Sequence, residues 1–427
     1  MKDDDDDPLS QQQRNCQTGD DVASTGGDFI KYGKKKPHSI LHIGYQHLRK
    51  QMYNRKNVGA FAILTIFGIC ATLMYLSTWD YSAQSAEEQP REIIEVVFLI
   101  FPTSVDRERH PERIKAVLNT WGKAPLVSDA KGKRDFRIIL DIVTKHGKQT
   151  TTPIANATTL PKHVHLWTPD NEVPVTQFAW ALTKIRDQVS DMNKTWVVKV
   201  DTITYVMLEN LLSYISTMNP IYPHVLGRRL RISDTEMFMS GGAGWVMSGG
   251  ACERYLKNWD NCLKANKDNE WLMNARDVGV TTCFLSAGME ANKSTDNLGR
   301  QRFHIYNPTR TVKGTVDGWV SEYSALINEP IHKGRDCCSA NSITFHYMEG
   351  PEVEFVDNVI LHQDEWKNIT SQQRNKRWSN LKLGGYSEAP EANDMQTWRL
   401  LLEFLQPPLD RFVRKHAATV SPASPKS

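Results

Sequence analysis

The chain has 427 residues, of which 40% are hydrophobic and 24% charged, and its formal net charge is +3. That length allows one large domain or two modest ones with ample core-forming residues. The charge is too small to argue for a nucleic-acid partner.

Residues 1–57 read as a cytosolic tail. The acidic run Asp3 to Asp7 opens a solvated end, and eight Lys or Arg with no acid lie between Lys31 and Lys56. From Asn57 to Trp79 there are 23 residues without a charge. As a helix this run would be about 34 Å long at ~1.5 Å per residue, enough to cross a bilayer core of about 30 Å. Residues 58–79 are therefore expected to be a transmembrane signal anchor, with the basic flank cytosolic and everything after it lumenal. A cleaved signal peptide would not start 57 residues in, and a core helix of this length would carry a polar face. Five of the seven cysteines (Cys252, Cys262, Cys283, Cys337, Cys338) and four Asn-x-Ser/Thr sequons (Asn156, Asn193, Asn292, Asn368) lie beyond the anchor. Both fit an oxidising, glycosylating compartment. Five is odd, so one thiol stays free or pairs between chains.

Residues 80–90 read as a stem and 91–362 as the globular domain. Ile93 to Phe101 is a near-continuous apolar strand. Pro111 then opens a helix with Ile114, Val117, Leu118 and Trp121 at helical spacing, closed by Gly122. Phe136 to Val143 and Val164 to Trp167 are further strands. The stripe Val175, Phe178, Leu182, Ile185 and Val189 makes 174–190 a helix that packs on the sheet. Trp196 to Val200 is a buried strand that meets Asp201 and passes into an amphipathic helix carrying Val206, Leu211, Leu212 and Ile215. Strands alternating with helices imply a parallel, doubly wound α/β sheet. Ligands of such sheets sit beyond the carboxyl ends of the strands, where Asp201 stands. A second carboxylate two residues on would hold a divalent ion against a diphosphate, but position 203 is Ile.

After Pro220 the pattern changes. Met239 to Met247 packs three glycines among aromatic and sulfur side chains, which suits either close approach to a flat ligand or a bulged hairpin. No glycine-rich turn follows the strand at 93–101, which disfavours a dinucleotide fold. Residues 363–427 form a polar C-terminal extension with one amphipathic helix near 396–405 and a Ser/Pro-rich end expected to be disordered.

Several motifs occur in a telling order: Lys199-Val200-Asp201 with Thr204-Tyr205-Val206, Gly227-Arg228-Arg229, Met239-Ser240-Gly241-Gly242-Ala243-Gly244, and Cys337-Cys338-Ser339 followed by Phe345-His346-Tyr347. Thr120-Trp121-Gly122, Trp180 with Thr183-Lys184, and Asp296 with Gly299, Phe303 and His304 add to them. In this order the chain resembles the core 1 β1,3-galactosyltransferase (T-synthase) family of fringe-like transferases, from about residue 93 to 362. The resemblance implies a GT-A-like, Rossmann-like domain in the Golgi membrane. It also implies transfer of galactose from UDP-galactose to O-linked GalNAc with inversion, assisted by Mn²⁺. The partners implied are a UDP-sugar, an O-glycosylated protein acceptor and a second chain, as a homodimer or a chaperone–transferase pair.

In the resembled pattern the first and third carboxylates of Asp-Asp-Asp serve the metal and a distant His joins them. Here those three positions read Asp201-Thr202-Ile203, so Asp201 and His346 are the metal ligands implied. By its residues alone, His346 among aromatic neighbours reads as a satisfied core histidine, and the ligand role comes from the resemblance. The family's Ile-Glu-Asp becomes Ala275-Arg276-Asp277, which makes Asp277 the implied base and sets an Arg beside it that should lower its pKa. An acid at a helix start, stabilised by the dipole, is the structural alternative. Gly241, Gly242, Ala243 and Gly244 are expected at the substrate, with Trp245 and Trp319 as sugar-stacking platforms or core. Cys262 and Cys283 match the family's short-loop disulfide. Adjacent Cys337 and Cys338 are expected to seek different partners, Cys252 being one candidate. A second functional reading is a non-catalytic chaperone of the transferase. That branch lacks the acidic motif and the metal-site His, whereas His346 and the Gly241–Gly244 loop are kept here.

Overall fold

The computed structural model describes residues 91–102, 110–143, 160–170, 173–233, 236–370 and 411–415, with scattered positions between 68 and 72 and between 372 and 405. The expected anchor at 58–79 (apart from those scattered positions), the stem, Asn156 and most of 363–427 lie outside the described residues. Among those described, no helix is long and apolar enough to cross a membrane.

In chain order the elements are β1 (Glu92–Phe101), α1 (His110–Asn119), β2 (Leu126–Asp129), β3 (Arg134–Val143), β4 (Val164–Trp167), α2 (Pro174–Gln188), β5 (Thr195–Asp201), β6 (Tyr205–Val206) and α3 (Leu208–Ile215). There follow β7 (Val225–Gly227), β8 (Arg229–Arg231), β9 (Met237–Met239), β10 (Trp245–Ser248), α4 (Gly249–Asn266), α5 (Glu270–Asn274) and α6 (Arg276–Ser286). The last are β11 (Phe303–His304), α7 (Pro308–Lys313), α8 (Gly318–Ala325), β12 (Thr344–Phe345), α9 (Gly350–Leu361), α10 (Gln363–Lys367) and β13 (Phe412–Lys415).

The period of two along β1 decides the layering. Val96, Phe98 and Ile100 enter one apolar cluster with α1, α3 and α9, while Val97, Leu99 and Phe101 enter another with α2, α4 and α6. Helices therefore cover both faces of the sheet, and its central strands carry almost no polar residue. The buried charges among them are Glu95 in β1, Asp141 in β3 and Lys199 in β5, the last at 1% exposure.

The sheet order is β13-β2-β3-β1-β5-β10-β7, with β4 also on β3. It is mixed, which corrects the wholly parallel sheet expected from alternation. β1 pairs in parallel with β3 and β5, and β3 with β4, but β2, β10, β7 and β13 enter antiparallel. Only a tight turn separates β2 from β3, with Gly132 at φ +66°, and so short a connection admits no parallel crossover. Val206, expected on a helix, lies in β6, where long-range pairing of Phe345 with Tyr205 holds the segment extended. The segment assigned to a C-terminal extension supplies β13, whose Arg414 forms a two-pronged ion pair with buried Glu209 on α3.

The cysteine expectations divide. Cys262 on α4 and Cys283 on α6 form a disulfide. Cys337 and Cys338 bond each other, and Cys252 is a buried free thiol, correcting the expectation that the adjacent pair would look elsewhere. The sheet explains why: Cys252 packs in the cluster on one face, Cys337 and Cys338 in the cluster on the other. Of the sequons, Asn193, Asn292 and Asn368 are exposed. Asn292 accepts the Val225 N–H, and the Asn368 amide donates to the Asp364 carbonyl.

The fold is tied between α1 and α9 by Arg113, whose Nε and Nη2 reach both oxygens of Glu349 at 2.9 and 2.7 Å in the interior. Removing one partner of such a pair leaves a charge buried alone. Glu349→Ala is expected to cost about 3–5 kcal/mol of stability by urea unfolding; a loss within the ordinary surface range would contradict a dry pair.

Candidate active site

Three connections converge at the carboxyl ends of β1 and β5. Phe101, the last residue of β1, is in register with Asp201, the last of β5. Beside β5 runs β10, with Trp245 opposite Lys199, so the turn Gly241–Gly244 that feeds β10 emerges next to Asp201. The glycine turn joins two sheets, since β9 pairs with β8 and not with β10, which rules out a simple bulged hairpin. Strand β12 lies beside β6, and Met348 N–H donates to the Ile203 carbonyl, which delivers His346 to the same place.

Lys199 organises these parts. Its Nζ donates to Asp201 Oδ1 at 2.9 Å and to the Gly241 carbonyl at 2.8 Å, above the Trp245 ring at 4.9 Å. Thr204 Oγ1 donates to the Gly242 carbonyl at 3.0 Å and Thr344 Oγ1 to the Ala243 carbonyl at 2.5 Å. With its carbonyls held, the turn presents the Gly241 N–H to Asp277 Oδ2 at 2.6 Å. A Cβ on Gly241 would overlap the Asp277 carboxylate, and one on Gly242 would overlap the His346 ring. At Gly244, φ is +76°, a region that favours glycine.

The electrostatics separate the two acids. Burial pushes Asp201 up, but Lys199, His346 and Arg276 together outweigh it and hold the carboxyl below its ordinary value. Asp277 moves the other way: burial and the nearby Asp201 raise it, against Lys199, the Gly241 N–H and Arg276. Arg276 does lower the Asp277 pKa as expected, but desolvation exceeds the pull of the guanidinium and the net shift is upward. His346 is pushed down to about 4 by burial, against the attraction of Asp201, so its ring is neutral at neutral pH.

The structure brings Asp201 and His346 together, with Nε2 3.7 Å from Oδ2. These donors nevertheless fit Mn²⁺ poorly, since that ion favours a shell rich in carboxylate and water oxygens. One Asp201 oxygen already serves the Lys199 ammonium, and Ile203 is buried apolar packing at 4% exposure. Among the described residues no group of three His, Cys, Asp or Glu could hold a metal ion.

The alternatives left open for the two tryptophans are platform or core. Trp245 is fully buried in β10 against Phe178, so it is core beneath Lys199 and no sugar platform. Trp319 sits on α8 and rests its ring on Tyr323, outside the cluster around Lys199. Sequence reasoning gives Lys199 and Arg276 no ligand role. A lone cation within an otherwise apolar strand is the signal available for the first. Arg276 shows itself only in space, stacked 4.0 Å over the Phe101 ring with its buried Nε lacking a hydrogen-bond partner.

No family model matches the chain. It is 26% identical over 226 residues to glycoprotein-N-acetylgalactosamine 3-beta-galactosyltransferase 1 of Xenopus laevis, covering 51% of this chain and 59% of that protein. The match thus spans less than two thirds of the relative's length. Among solved structures, the glycosyltransferase GlyE of Streptococcus pneumoniae TIGR4 aligns at 10% identity over 77% of this chain and 66% of its own, with a TM-score of 0.33. S. aureus TarS 1–349 aligns at 12% identity over 44% of this chain and 55% of its own, with a TM-score of 0.24. By sequence, then, the chain is similar to a glycosyltransferase, and the particular relative is a glycoprotein-N-acetylgalactosamine 3-β-galactosyltransferase.

Because the Gly242 backbone touches the imidazole, Gly242→Ala is expected to overpack the turn and lower stability by about 1–3 kcal/mol. Thermal unfolding checks this, and Gly242→Ala/His346→Ala should recover most of the loss. No recovery would mean that the ring and the turn are not in contact.

Proposed function

We infer that this protein is a glycosyltransferase that takes its sugar from a nucleotide diphosphate donor, with Asp277 as the base. The observation that carries this reading is the pair of oppositely tuned carboxyls at the strand ends, one held ionised by cations and one raised by burial beside a bare glycine backbone. Separated acids of this kind mark acid–base chemistry. The similarity to a 3-β-galactosyltransferase supports UDP-galactose as donor, GalNAc on a glycoprotein as acceptor and a GT-A type of domain. The uncharged run at 58–79 and the sequons beyond it support a Golgi, type II membrane setting. His346 and the Gly241–Gly244 turn, both built into the cluster, favour this reading over a chaperone.

In the reaction, an acceptor hydroxyl attacks the anomeric carbon from the face opposite the diphosphate. Its proton passes to Asp277 as the new C–O bond forms. The electron pair of the breaking C–O bond leaves with the diphosphate, and the configuration inverts. The Gly241 N–H fixes one Asp277 oxygen and leaves the other to accept the proton. Partial desolvation makes this carboxylate more basic than an ordinary one, at the cost of ionising at higher pH.

Purified full chain with UDP-galactose and a GalNAc-bearing glycopeptide should release UDP and gain one hexose by mass. Asp277→Asn should lower the rate by about 10²–10⁴-fold with an unchanged melting temperature. Because the Asp277 pKa is raised from 3.8, the rate should increase with pH through that higher value as the carboxyl loses its proton. An acid limb at or below the ordinary value would remove Asp277 as the base.

A further inference from the structure

Among the described residues no group of three His, Cys, Asp or Glu at the strand ends could hold a divalent ion, but the cluster does not lack positive charge. Lys199 and Arg276 both stand at the carboxyl end of β5: Lys199 Nζ on Asp201, and Arg276 stacked on Phe101, the residue in register with Asp201. The attraction of Asp201 is felt by the Arg276 guanidinium ahead of that of Asp277. Arg276 spends little of its donor capacity inside the protein, with one contact from Nη2 to Gln177 at 3.4 Å and a buried Nε that has no hydrogen-bond partner. Thr202 Oγ1, the next side chain after Asp201, is likewise buried without one. Buried unpaired donors are costly, and a guanidinium fork matches phosphate oxygens in geometry and charge.

We propose that this chain holds the diphosphate of its donor with fixed cations, Arg276 assisted by Lys199, and needs no divalent metal. The inference rests on the transferase reading and names how that site takes its ligand. When the sugar–oxygen bond breaks, its electron pair and the added negative charge stay on the diphosphate, facing Arg276, while Lys199, buried and bonded to Asp201 and the Gly241 carbonyl, adds its charge from beneath. A preorganised cation there stabilises the leaving group as an ion would, without reorganisation at the moment of reaction. Ile203 belongs to the same arrangement: with no metal to hold, a second carboxylate would only repel the diphosphate.

The test is calorimetric titration of the full chain, in mild detergent, with UDP and with UDP-galactose, in EDTA and in Mn²⁺. The expected result is binding in EDTA, with an affinity within about threefold of that in Mn²⁺. Arg276→Ala should weaken UDP binding by about tenfold or more, and Arg276→Lys should restore part of it. Binding that appears only with Mn²⁺ overturns the proposal and leaves the transferase reading standing. Unchanged affinity in a folded Arg276→Ala protein also overturns it. No binding of either nucleotide under any condition removes the transferase reading, and this proposal with it. The wild-type comparison needs no variant, so the proposal can be overturned even where a substitution folds poorly.

Discussion

A single ammonium group constrains the whole site. Lys199 lies in a strand buried on both faces, and a charge there must find compensation within the protein. It finds Asp201 on its own strand, the Gly241 carbonyl on the adjoining turn and the Trp245 ring beneath. This one contact set fastens the end of β5 to the glycine turn. It also commits Asp201 to a partner, which changes what that acid can offer to a ligand.

From the turn the constraint passes outward. Its carbonyls are held by Lys199, Thr204 and Thr344, so the Gly241 N–H is left to fix Asp277. The two bare glycines then bring a carboxylate and an imidazole to within contact of the backbone, positions that any side chain would fill. A base raised by burial, an acid held ionised and a neutral imidazole result from one short turn. The chemistry depends less on which acids are present than on how each is desolvated and which cation it faces.

The surrounding fold serves this arrangement. Helices on both faces keep the central strands dry, which strengthens every charge interaction at their ends. The pairing of β6 with β12 carries His346 across from a point far along the chain, and the Arg113–Glu349 pair ties the following helix to α1. The strand β13 closes the opposite edge of the sheet and is held to α3 by Arg414 and Glu209.

Much of this was legible in the residues. The strands at 93–101, 136–143, 164–167 and 196–200 and the helices around 111–121 and 174–190 follow from local periodicity, which needs no tertiary information. Asp201 is marked by its place at a strand end, His346 and Asp277 by resemblance, and the structure draws the three into one cluster. What local pattern could not supply was pairing across distance: the antiparallel entry of β10 and β7, the strand at 205–206, the return of 412–415 to the sheet, and the side of the sheet on which each cysteine lies. Trp245 shows the same limit, since a Trp beside glycines reads alike whether it faces a sugar or a core. The direction of the Asp277 shift depended on burial, and the freedom of Arg276 on what surrounds its Nε. Sequence by itself determined the long periodic strands and helices and where an acid meets a strand end. Only the tertiary structure decided which charges face one another, because that is set by contacts between residues far apart in the chain.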